Sequence, residues 1–225
     1  IAGYRAVLEA TRYYPRFFPM LMTSAGSAKA AKVIVLGAGV AGLQAIATAR
    51  RLGAGVEAYD VRAAVKEQIL SLGAKFIEID VGEEGSGQGG YAKELSAEAK
   101  KRLDAGLAER LKKADIIIST AAIPGRKAPV LVTESTVAGM RPGSVIVDMA
   151  VEQGGNCPLS ELGKTVIKHG VTIIGEPNIP ALCGADASAL YSRNVLDFLK
   201  LIIDKDGALH IDQADEIVAA TLMCT

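Results

Sequence analysis

From Lys32 onward, short apolar runs alternate with stretches in which apolar residues recur every three or four positions. The runs "KVIVL", "GVEAYD", "AKFIEI", "ADIIIST", "GSVIVDMA" and "GVTIIG" are rich in β-branched residues and read as strands. Their continuous apolar cores are those of strands covered on both faces. Between them, Ala41 to Leu52 and Ala63 to Leu72 read as helices, and "YAKELSAEAKKRLDAGLAERLKK" as a long amphipathic one. A closing helix is expected over "ADASALYSRNVLDFLKLII", with Asp186 or Ser188 near its cap. Strand alternating with helix predicts an α/β fold, a Rossmann-type doubly wound parallel sheet.

The first residues, "IAGYRAVLEATRYY", already have the pattern of a helix interior, and the chain begins with Ile1 rather than methionine. It therefore reads as a fragment or a processed product. Half of the aromatic residues (Tyr4, Tyr13, Tyr14, Phe17, Phe18) fall in this stretch, which must pack against something. The expectation is an N-terminal helical segment belonging to a missing or partner domain; packing on the chain's own core is the alternative. The division expected is a helical linker at 1–28, a Rossmann domain at 29–204 and a C-terminal segment at 205–225 that packs back toward the N-terminal part.

Composition narrows the partners. The formal charge of 225 residues sums to zero, so no basic excess points to nucleic acid or an anionic membrane surface. Cys157, Cys183 and Cys224 are odd in number and lack the spacing of a zinc site or a redox dithiol, which suits a reduced compartment. The longest apolar run, Val33 to Ala49, is cut by Gly37, Gly39 and Gly42 and does not read as a membrane span.

Those glycines carry the clearest chemistry. Gly37, Gly39 and Gly42 form G-x-G-x-x-G between a strand and a helix, and Asp60 ends the next strand eighteen residues after the last glycine. Gly37 permits a tight turn, Gly39 lets backbone approach a pyrophosphate, and Gly42 lets the helix pack close to the strand. Amides at the helix N-terminus face the anion, and Asp60 accepts hydrogen bonds from ribose hydroxyls. A carboxylate there repels a 2′-phosphate, so NAD(H) is expected rather than NADP(H). An S-adenosylmethionine site shares the glycine turn and the acid; Arg62, two residues on, favours a ligand that carries phosphates.

Two more loops at strand ends, "STAAIPGRKAP" and "DMAVEQGGNCP", are candidates for the nicotinamide half, through Ala122 and Asn156. Their Gly and Pro content also suits ordinary turns. His169 and His210 sit in no nucleophile elbow or metal-spaced cluster, and no acid/base pair stands out. Hydride transfer between two nicotinamides needs no such pair, only aligned rings.

The segments "AGYRAV", "GVAGLQAIATARRLGA", "DVRAAVKEQ", "GGYAKE", "IPGRKAPVL", "GSVIVDMAVEQGGNCPLSE" and "ADASALY" together resemble the NAD(H)-binding peripheral domain of proton-translocating NAD(P) transhydrogenase, alpha-subunit type. The resemblance implies that NADH bound here passes hydride to NADP+ on a separate NADP(H)-binding domain. A membrane domain would couple the transfer to proton translocation, with this chain paired as a homodimer on the soluble face of a bacterial or organellar membrane. It implies cofactor contacts at Val40, Asp60, Val61, Arg62, Gly90, Tyr91 and Ala122. On this likeness "GSGQGGYAKE" would be a glycine-rich lid that Tyr91 closes over the nucleotide. It also implies an N-terminal half preceding Ile1. In "EPNIPALCGADAS", Ala181 and Leu182 stand where that family usually has Ser-Arg. Alanine dehydrogenase is similar around "KAPVL" and "VDMA" and is the enzymatic alternative; a noncatalytic dinucleotide-sensing module is the other.

Overall fold

The computed structural model describes residues 1–80, 96–123 and 125–223. They divide into two compact units, the first over residues 1–179 and the second from 180 onward, a boundary that falls inside the segment expected at 29–204.

The first unit is built on a seven-stranded sheet. Its strands are β3 (Lys32–Leu36), β4 (Gly55–Tyr59), β5 (Lys75–Phe76), β6 (Ile116–Ser119), β7 (Val145–Asp148), β8 (Thr165–Lys168) and β9 (Val171–Ile174), in spatial order β5-β4-β3-β6-β7-β9-β8. All neighbours run parallel except β8, which pairs antiparallel with β9 at the edge. A small antiparallel hairpin, β1 (Leu21–Thr23) with β2 (Gly26–Ala28), precedes the sheet.

Alternation along the strands feeds two separate cores. Val33, Val35, Ile116, Ile118, Val145 and Val147 point to one face, and Ile34, Leu36, Ile117 and Ile146 to the other. The first face is covered by α1 (Ala2–Tyr13), α2 (Val40–Arg51) and α3 (Lys66–Ser71), the second by α4 (Ala97–Leu111) and α5 (Glu134–Ala138). Burial on both faces is why the strand sequences are continuously apolar. A core residue such as Ile117, fully buried between β3 and β7, should cost about 2–5 kcal/mol on truncation to alanine.

The N-terminal segment is packed within this unit. Gly3, Ala6, Val7, Glu9 and Ala10 bury one stripe of α1. At Gly3 the helix meets α2 so closely that a Cβ would lie 1.9 Å from the Ala41 carbonyl oxygen. Tyr14 and Phe18 are buried in an edge-to-face pair at 6.0 Å, while Tyr4 and Phe17 stay exposed. The aromatic-rich start therefore finds much of its cover in the chain's own core, against the helix that follows the glycine turn.

Several boundaries differ from the sequence expectation. The third strand shrinks to Lys75–Phe76, with the Ile77 amide donating to Ala58 O. The long helix begins at Ala97, capped by Ser96 Oγ, which accepts from the Ala99 amide; residues 91–95 lie outside the described residues. The antiparallel β8 was not expected. It joins β9 through His169 and Gly170, both at positive φ as a two-residue type I′ turn requires, and it is a half-exposed edge strand.

The second unit holds α6 (Gly184–Ile202) and α7 (Glu216–Thr221). The closing helix has Cys183 as its N-cap and no side-chain cap bond, so neither Asp186 nor Ser188 caps it; Asp186 lies near that cap, in the first turn. Asp215 caps α7 by accepting from the Ile217 and Val218 amides. Among the described residues no helix is long and apolar enough to cross a membrane.

Candidate functional site

The strand order reverses at β3, whose two neighbours are β4 and β6, and the crevice at such a switch point is where ligands of parallel sheets sit. The glycine turn lies there. Gly37 has φ +92° and donates its amide to Tyr59 O at 2.8 Å. A Cβ on it would fall 2.7 Å from Thr120 Oγ1, the hydroxyl that donates toward the carbonyls of Leu36 and Gly37. A Cβ on Gly42 would fall 1.9 Å from Gly37 O, so α2 could not approach the turn. The fold requires glycine at both positions.

Gly39 is different. Its φ of −75° and ψ of −170° suit any residue, and nothing lies within 4 Å of the position a Cβ would take. It is the N-cap of α2 and supplies no side-chain hydrogen bond to the first amides of that helix. Neither backbone angles nor packing requires glycine here beyond its modest advantage over alanine at an N-cap, and it keeps clear a space beside a helix N-terminus.

Asp60 follows β4 directly and is 8% exposed. Its Oδ2 accepts from the Ala38 amide at 2.7 Å and from Arg62 Nη2 at 2.9 Å; its Oδ1 accepts from the Arg62 amide at 2.8 Å and Arg62 Nε at 3.0 Å. Burial alone would raise its pKa, but the Arg62 guanidinium and the two amides outweigh that and hold the carboxyl below its ordinary range. Arg62 is itself shifted up by Asp60. The carboxylate thus ties the end of β4 to the glycine turn.

A second acid, Asp148, ends β7 and is fully buried. Its Oδ1 accepts from Ser119 Oγ and from the amides of Ala150 and Asn156; its Oδ2 accepts from the Cys157 amide and, at 2.7 Å, Ser160 Oγ. Gly154 and Gly155, at φ +92° and +75°, turn the chain back so that these amides converge. Asn156 is fully buried, and its Nδ2 donates to the carbonyls of Ala121 and Pro129, each at 2.8 Å. Burial pushes the Cys157 thiol up, which marks it as a packing residue rather than a nucleophile.

The structure therefore brings together Gly37, Gly39, Gly42, Asp60 and Arg62 at the ends of β3 and β4, with Ala122 exposed just after β6. Val40 is 90% and Val61 63% exposed, apolar side chains at the helix start and beside the acid. The Asn156 side chain meets loop carbonyls. Gly90 and Tyr91 lie outside the described residues. His169 lies in the turn that leads into β9, at the sheet end opposite the glycine turn, 3.4 Å from Glu134. Among the described residues no group of three or more His, Cys, Asp or Glu could hold a metal. Thr120 and Asp148 are the residues that sequence reasoning did not single out. An acid ending the apolar run "VIV", followed by a glycine pair, was the available signal for Asp148.

With this geometry the sequence matches the family described as Alanine dehydrogenase/PNT, C-terminal domain, over residues 6–225. The chain belongs to this family. It is 54% identical over 224 residues to an NAD(P) transhydrogenase subunit alpha polypeptide of Rhodospirillum rubrum, an alignment covering 98% of this chain and 58% of that protein. The solved transhydrogenase of Sinorhizobium meliloti superposes with a TM-score of 0.76 at 50% identity, over 88% of this chain and 52% of that one. A solved L-alanine dehydrogenase superposes with a TM-score of 0.68 at 28% identity, over 88% of this chain and 51% of its own. The chain thus spans little more than half the length of these relatives.

Proposed function

We propose that this domain binds NAD(H) across the crevice at the ends of β3, β4 and β6. In the assembled protein it would present the nucleotide for direct hydride transfer with NADP(H) held on a separate domain. The observation that carries the reading is Gly39: a glycine that neither φ nor packing demands, set where a pyrophosphate would need open space and unpaired helix amides. When bound, the nicotinamide supplies the hydride chemistry. The chain's own role is to bind and orient.

Asp60 is placed to accept from ribose hydroxyls, and exposed Val40 and Val61 offer apolar surface beside it. Arg62 would favour a 2′-phosphate if it were free, but its Nε and Nη2 are committed to Asp60, and so NAD(H) is preferred. Relatives carrying the transhydrogenase name at about half identity support that activity over alanine dehydrogenation. The same likeness supports a place on the soluble face of a membrane complex, a homodimer, and partners that hold NADP(H) and move protons.

The test is a mixing experiment. Intact protein with its NADP(H)-binding partner should pass hydride between NADH and NADP+. No transfer, together with NADH formation from L-alanine and NAD+, would replace this reading with an alanine dehydrogenase.

A further inference from the structure

We infer that Asn156 is a positioning residue for the nicotinamide side of the crevice: held in place by Asp148, its buried amide fixes the loop after β6 without reaching the ligand. The inference rests on the dinucleotide reading above, which places the loop carrying Ala122 across the glycine turn from Asp60.

The chain leaves β6 beside the turn, and the Ala121 amide is one of the nearest atoms to a Cβ built on Gly37. Farther on, backbone bonds lace it to the loop after β7: the Ala128 amide donates to Gln153 O, and the Leu131 and Val132 amides to Asn156 O. A side chain adds a second kind of tie. Asn156 Nδ2 reaches Ala121 O and Pro129 O together, so one side chain spans both ends of the loop. The Asn156 amide nitrogen is itself fixed by Asp148 Oδ1, and the next amide, of Cys157, by Oδ2.

The chemistry of the side chain excludes a packing role alone. Asn156 Oδ1 is buried and has no hydrogen-bond partner among the described residues, a cost that an aliphatic side chain of similar size would not carry. The amide is present for its two donor bonds. Both bonds end on the loop, so their loss should be felt at Ala121 and Ala122 while the backbone ties at Ala128, Leu131 and Val132 hold the fold.

The experiment compares two ligands on the intact protein: NADH, and ADP-ribose, which keeps the adenosine and pyrophosphate but lacks the nicotinamide. Asn156→Ala should weaken NADH about tenfold, the size of one or two lost hydrogen bonds, and leave ADP-ribose within about twofold. Asn156→Asp, nearly isosteric but with an acceptor facing two carbonyls, should weaken NADH at least as much. Thermal unfolding of each variant reports whether it is folded, and if Asn156→Ala is not, Asn156→Ser carries the same comparison. Equal loss of both ligands, unchanged NADH binding in Asn156→Ala, or full NADH affinity in Asn156→Asp would overturn the positioning role while leaving the dinucleotide reading intact. Failure of the unsubstituted protein to bind either ligand would overturn both.

Discussion

Two aspartates end two strands of one sheet and do opposite things. Asp60, after β4, shares its carboxylate between two amides and Arg62, whose side chain is 46% exposed. Asp148, at the end of β7, is fully buried and accepts from five hydroxyls and amides. Asp60 keeps one exposed partner that a ligand can meet. Asp148 has its hydrogen bonds committed to the shape of a loop. The same residue type at equivalent strand positions thus serves the proposed binding role in one case and a scaffold in the other, and what separates them is exposure of the donors.

The largest effect that sharpens the contrast is expected at Asp148. Asp148→Asn keeps the volume but turns an NH2 toward converging donors, and should cost about 3 kcal/mol or more. At roughly 2–4 °C per kcal/mol for a chain of this size, thermal unfolding should register it clearly. A loss below about 1 kcal/mol would break the scaffold assignment. Next comes Gly42→Ala, which drives a Cβ into the Gly37 carbonyl and should cost about 2–3 kcal/mol by urea unfolding.

Asp60→Ala should cost less, about 1–2 kcal/mol, because its ion pair is partly solvent-screened, yet it should weaken NADH binding at least about tenfold. Fluorescence titration beside a urea curve separates the two quantities. Equal stability loss at Asp60 and Asp148 with no change in NADH affinity would erase the distinction between them.

The smallest effect is in pH. The Asp60 carboxyl titrates below its ordinary range when folded, so its contribution is fully present above the unfolded pKa of about 4 and is lost as pH falls through the lower folded value. The stability gap between the unsubstituted protein and Asp60→Asn should therefore be constant above about pH 5 and narrow below pH 4. A gap that widened on acidification would contradict the hydrogen-bond assignment.

The glycine turn and its acid were legible in sequence because their components lie close along the chain: glycine spacing, a helix, a strand and an acid within Gly37 to Arg62. The Asp148 side was not. "AYD" and "IVD" look alike, and the donors that make Asp148 a scaffold come from Ser119 on a neighbouring strand and from amides that converge only once Gly154 and Gly155 adopt positive φ. Nor does the sequence show that the Asn156 side chain, expected there as a cofactor contact, donates to the carbonyls of Ala121 and Pro129, which lie far from it along the chain. The edge strand β8 was hidden by its length and its mixed burial, and the short α5 by having barely one turn of periodicity.

The most direct measurement is equilibrium titration of the intact protein with NADH and, in parallel, NADPH, repeated for Gly39→Ala. Expected are saturable NADH binding, much weaker NADPH binding, and a variant that unfolds within about 1 kcal/mol of the original, the size of a weakened N-cap, while losing NADH affinity, because its new methyl meets nothing in the protein. NADH affinity unchanged in Gly39→Ala, or equal binding of NADPH, would contradict it.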